Sequence, residues 1–155
     1  MATPTSDVYG AFLARILEDD WLREEDEDVV NADMFQILNM AIFDFRFPRI
    51  SLTLGKSEET EEDVFINTLT NSEIQVLATA MKLHWLKRQI NTAKLIKQQY
   101  ATKDFAFSSQ ANHLAKLSEL LTLTEKEMIR TFDTYNRSRD GKPYSFSSLA
   151  GGISE

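Results

Sequence analysis

The chain has 155 residues, 43% of them apolar, and a formal net charge of −7. That length is the ordinary size of one domain with a core of its own. The absence of cysteine excludes disulfides, thiolate nucleophiles and cysteine metal sites, and the overall acidity argues against a protein that grips phosphates by charge alone.

Uninterrupted apolar runs are only a few residues long, too short for a membrane-spanning helix. The opening MATPTSDVYG has neither the basic nor the apolar region of a secretory signal, and the lack of cysteine is compatible with a cytosolic origin. Five glycines and three prolines favour helices over many short strands. Charge is uneven: 16 acids against 5 bases up to Asp63, then 8 against 12. Such polarity implies contact between the two halves, head-to-tail contact between copies, or simply a solvated acidic surface.

In chain order, Tyr9, Phe12, Leu13, Ile16 and Leu17 recur at helical spacing from about Ser6 to Leu22, with Thr5 or Ser6 as the cap. The acidic run Glu24 to Asp28 reads as a solvated turn. A second helix is predicted from about Asn31 to Phe45. Its stripe is Phe35, Leu38, Ile42 and Phe45, with Met34 and Ala41 beside it, and Pro48 ends it. Arg49 to Leu54 alternates, as a short strand or extended connector does, and Gly55 breaks it. Lys56 to Asp63 reads as an acidic loop or the start of a helix.

Thr70-Asn71-Ser72-Glu73 is a capping box. The helix it opens runs to about Ala101, with Ile74, Leu77, Met81 and Trp85 on one side, Ala78 beside them, and Ile90, Leu95 and Ile96 beyond. At more than about 40 Å it has the length of a bundle wall. The last helix is expected to start at Ser108 or Ser109 and end near Tyr135. Leu114, Leu117, Leu121, Thr124 and Met128, extended by Phe132 and Tyr135, form a coiled-coil-like seam. A corner motif joins the two long helices: Asp104, Phe105, Ser108, Ser109, Gln110, Asn112 and His113. In the tail, Tyr144, Phe146 and Leu149 alternate with serines, a pattern an extended docking peptide uses. The expected fold is all-α. It is a bundle of about four helices with two long C-terminal ones, a short extended segment near 49–54, a helical domain over 1–137 and an extended tail over 138–155.

No motif for catalysis emerges. His84 and His113, the only histidines, lack the paired spacing of a zinc helix. The acidic runs lack a calcium-loop pattern, and no phosphate loop, dinucleotide fingerprint or nucleophile elbow is present. Ser109 and His113 lie one helical turn apart, but a capping role explains the serine and no third group accompanies them. The expectation is therefore no enzyme, no metal and no cofactor. Lys82, Lys87, Arg88, Lys94, Lys97 and Lys103 make a basic stretch able to meet phosphates or an acidic partner.

The order of the phrases VYGAFLARILEDD, LNMAIFDFRFPRISLTL, LTNSEIQVLATAMKLHWLKRQI and DFAFSSQANHLAKL, over about Val8 to Tyr135, resembles small neck or head–tail connector proteins of tailed bacteriophages. The resemblance implies a structural virion protein made in the host bacterial cytoplasm. It implies a homo-oligomeric ring of about twelve copies beneath the portal protein, contacting neighbouring neck or tail proteins while DNA passes through without sequence-specific binding. On that reading Lys87, Arg88 and Lys94 face a neighbouring copy or the portal, and Tyr144, Phe146 and Leu149 dock the tail on a partner. The competing readings are a nucleic-acid-binding accessory protein and a phage assembly factor.

Overall fold

Six consecutive buried residues, Val76 to Met81, set the architecture. An amphipathic helix buries one stripe; a helix buried all round must be surrounded. The computed structural model describes residues 2–16, 27–99 and 107–138, without the side chains of 96–99 and 107–110. Within it are four helices, α1 (Thr5–Leu13), α2 (Glu27–Asp44), α3 (Asn71–Gln99) and α4 (Phe107–Arg137). α3 packs against each of the other three. It is thus a central helix in its first half rather than a wall. Between Ile90 and Leu95 its burial falls away: Ala93 is half-buried, while Asn91, Thr92, Lys94 and Leu95 are exposed. The described residues include no helix long and apolar enough to cross a membrane.

The all-α bundle with two long C-terminal helices is the fold observed. α4 lays a single stripe on the core. Leu117, Thr124, Met128 and Tyr135 are buried, and Leu114, Leu121 and Phe132 partly so, as the three–four spacing requires. The buried hydroxyls of Thr79 and Thr124 donate to the carbonyls one turn back, Gln75 O at 2.9 Å and Leu120 O at 2.8 Å. In α2 the buried stripe is Met34, Ile37, Leu38 and Ala41, continued by Phe45 just past its end, while Phe35 and Ile42 are only half-buried. The stripe has turned by one position from the expected one, because Ile37 and not Phe35 faces α3. α2 also starts at Glu27, so Glu27 and Asp28 form its first turn and meet the positive end of the helix dipole instead of a loop.

Local corrections follow from the same packing. α1 stops at Leu13; residues 17–26 lie outside the described part. Pro4, not Thr5 or Ser6, occupies its cap position, with no side-chain cap bond. Thr5 instead donates its hydroxyl to Asp63 O at 2.9 Å. α4 starts at Phe107, which puts Ser108 and Ser109 inside its first turn and not at the cap.

A small antiparallel sheet closes one side. Its strands β1 (Thr3–Pro4), β2 (Leu54–Lys56) and β3 (Asp63–Phe65) lie in the order β1-β3-β2, with Thr3 opposite Phe65 and Gly55 opposite Val64. The extended segment therefore pairs only at its end, and Gly55 sits mid-strand. A Cβ there would lie 3.3 Å from Ile66 Cγ1, a close contact that an exposed isoleucine side chain would have to relieve by shifting a few tenths of an ångström. Within the Lys56 to Asp63 segment, the hairpin turn lies between the paired strand ends Lys56 and Asp63 and is closed by Ser57 N–H to Glu62 O at 2.9 Å. Thr3 fastens the outer strand by accepting Leu69 N–H at 2.8 Å.

The contrast between the two halves of α3 is testable. Leu77 is fully buried and Leu95 is 60% exposed. Leu77→Ala should lower unfolding stability by about 2–5 kcal/mol and Leu95→Ala by no more than about 0.5 kcal/mol, read by urea denaturation.

Candidate functional site

The basic stretch of α3 is divided by its neighbours. Lys82, largely buried, reaches Glu127 of α4 at 3.4 Å. His84 bonds Asp44 at the end of α2 at 2.7 Å, and Arg88 pairs with Asp33 of α2. The charge polarity of the chain is thus partly answered by contact between its halves. Lys87 and Lys94 stand exposed, with no ion pair among the described residues. Seven residues apart, they lie on one face of α3, whereas Arg88 is turned toward α2. The Lys97 side chain is not described, and Lys103 lies outside the described residues.

The corner motif is only partly visible. Asp104 and Phe105 lie outside the described residues, as do the side chains of Ser108, Ser109 and Gln110. Asn112 and His113 are exposed on α4. Tyr144, Phe146 and Leu149 also lie outside the described residues.

Sequence reasoning missed the most heavily bonded cluster, built on Glu73. The capping box is present, since Thr70 N–H donates to Glu73 Oε2 at 2.9 Å. The threonine hydroxyl also donates to that carboxylate instead of accepting an amide. Glu73 is 1% exposed, and its other oxygen accepts from the Tyr135 hydroxyl at 2.9 Å. Tyr135 in turn accepts Arg49 N–H at 2.8 Å. The Arg49 guanidinium lies 4.3 Å from the Tyr135 ring centroid and donates to Tyr135 O, Ser138 O and Ser138 Oγ. An arginine therefore caps the C-terminus of α4 and a carboxylate caps the N-terminus of α3, both in the sense the helix dipoles favour. Burial, reinforced by the Glu73 carboxylate, raises the Tyr135 phenol pKa above its ordinary 10.0 against the opposing effect of Arg49. The sequence signal was the capping box together with Tyr135 at the end of the α4 seam; Arg49 gave none.

A cleft of about 360 Å³ opens between α1, α2 and the hairpin, lined in part by Ser6, Tyr9, Asn31 and Phe35. Lys56 and Asp63 pair across its rim at 3.1 Å. Burial raises the Tyr9 phenol pKa, so at neutral pH it is a hydrogen-bonding group and not a base. Among the described residues no cluster of three His, Asp or Glu side chains could hold a metal, and no buried side-chain polar atom lacks a partner. A second, open groove is lined by Asn39, Met40, Phe43, Asp44 and His84. Among the described residues the arrangement offers surfaces for contact: exposed Lys87 and Lys94 on α3 and the groove walled by Met40 and Phe43 at the end of α2.

Removing the Tyr135 hydroxyl leaves the buried Glu73 carboxylate one donor short. Tyr135→Phe should cost about 1–3 kcal/mol in denaturant unfolding at neutral pH. The sign in alkali is also fixed. The folded phenol has the higher pKa, so its contribution is complete below pH 10.0 and lost as pH rises through the folded value. Stability should therefore fall less steeply with alkali in Tyr135→Phe than in the parent chain, with Tyr9 retaining its own share. Set against protein-family models, curated proteins and solved structures, the chain has no match.

Proposed function

We propose that this chain is a non-catalytic subunit of the neck of a tailed bacteriophage, a head–tail connector. It assembles as a ring of about twelve copies between the portal protein and the tail, made in the host cytoplasm and resident in the virion. The observation that carries the reading is the α3–α4 arm. Its base is embedded in the core, while its far part keeps exposed Lys94 and Leu95, and the outer side of α4 keeps exposed Leu120, Leu123 and Ile129. A two-helix hairpin that exposes both apolar and basic side chains suits a heterologous ring interface, in which one side of a copy meets a different side of the next. The acidic turn of the hairpin, with Glu58, Glu59, Glu61 and Glu62 all exposed, suits a channel wall that phosphates must pass without adhering. The resemblance of the phrase order to that of neck proteins supports the same reading.

A nucleic-acid-binding accessory role is disfavoured by the pairing of Lys82 and Arg88 with acids. Lys87 and Lys94, the exposed lysines of that stretch among the described residues, would by themselves give a slope of log affinity on log salt of only about −2.

The test is electron microscopy of the purified chain mixed with the portal protein of the same genome. Rings seated on the portal are expected; a monomer that never associates overturns the proposal. Lys87→Glu with Lys94→Glu should weaken ring formation at least about tenfold. The Arg88→Glu variant is a poorer probe, because it also breaks the Asp33 pair.

A further inference from the structure

α2 carries two stripes. Met34, Ile37, Leu38 and Ala41 are buried, and α2 packs on α3. At about 100° per residue, Val29, Ala32, Gln36, Met40 and Phe43 share a second face, turned roughly 150° from the first. All five are exposed, Val29 by 55%, Met40 by 54% and Phe43 by 88%. Their steps of three, four, four and three residues are those of a helix–helix seam, not of apolar residues scattered singly on a surface. A helix that is apolar on opposite sides is built to be covered on both.

We propose that the cover is α2 of a second copy, laid antiparallel about a two-fold axis at Gln36. A two-fold contact is self-complementary, so residues equally far from the axis on either side of it meet. Val29 then meets the partner's Phe43, and Ala32 meets the partner's Met40, so that a smaller side chain faces a larger one at each level. Gln36 meets the partner's Gln36 on the axis. Two amides there can each donate and accept, and one polar residue in an apolar seam fixes its register. Charge selects the direction. Glu27, in the first turn of α2, and Arg46, two residues beyond its end, are both exposed, and neither enters an ion pair among the described residues. Antiparallel pairing sets Glu27 about one residue from the level of the partner's Arg46, at both ends of the contact, with the helix dipoles opposed. Parallel pairing would set Glu27 and Asp28 against their own copies. The inference concerns the free chain, uses no residue of the connector reading and is tested without the portal protein.

In sedimentation equilibrium the full-length chain should be a dimer at micromolar concentration. Met40→Ser with Phe43→Ser should raise the dimer dissociation constant at least about tenfold. Its circular dichroism spectrum should not change, since both side chains are exposed in the folded chain. The chain has no native cysteine, so single thiols report the geometry independently. Under mild oxidation Gln36→Cys should give a disulfide-linked dimer. A mixture of Ala32→Cys chains with Met40→Cys chains should give the mixed dimer in excess of either self-linked one. A chain that stays monomeric at millimolar concentration would overturn the proposal. So would a dimer indifferent to loss of Met40 and Phe43, or self-linked Ala32→Cys dimers that outnumber the mixed ones.

Discussion

A carboxylate taken out of water must be met by donors, and Glu73, 1% exposed, lies in the interior between α3 and α4. Its donors are the Thr70 amide and hydroxyl and the Tyr135 hydroxyl. The tyrosine comes from the other end of the sequence, and its remaining lone pair is taken by the Arg49 amide. One charge thus fixes the entry of α3, the exit of α4 and the linker after α2 in a single mutual arrangement. Phe45, set edge-on to Tyr135 at 5.1 Å and to Phe132 at 5.6 Å, fills the apolar side of the same junction. The register of α4 along α3 follows, because a shift of one turn would carry Tyr135 away from its acceptor.

From that fixed end the rest of the bundle can be traced. α3 enters the core immediately after Glu73 and is surrounded through Met81. By Trp85, Leu86 and Ile90 it presents one side only, and beyond Ile90 it projects with α4 as an arm. The pairs Asp33–Arg88 and Asp44–His84 run between α2 and α3. They lie at the surface, where such pairs contribute little energy, so their role is to consume charge rather than to hold the fold.

Much of this was legible in the residues. The α4 seam from Leu114 to Tyr135 was readable because one helix face against one partner leaves a regular three–four spacing. The capping box at Thr70 was readable because both of its halves are local. α3 was misread as a wall, since a stripe can be drawn through Ile74, Leu77, Met81 and Trp85 without revealing that Val76, Ala78, Thr79 and Ala80 are buried too. The role of Arg49 and the 86-residue separation of its bonds to Tyr135 were beyond any local pattern. The two-sided character of α2 was also hidden. Phe43, Phe45 and Phe47 look alike in sequence, yet only Phe45 is buried. Of the exposed surface, Lys87 and Lys94 were anticipated, but the groove walled by Met40 and Phe43 was not.

The sheet that fastens Thr3 to Phe65 and Leu69 has a consequence for the order of folding. The elements that α1 packs on are α3 and β3, which follow it by some fifty residues or more. At a synthesis rate of about 5–20 residues per second, Val8 and Phe12 would wait roughly 3–12 s before their partners exist. Closing so long a loop is also the entropically costly step in forming a contact. α1 is therefore a late-docking latch, and a nascent chain carries these two core residues unburied until β3 and α3 have been made.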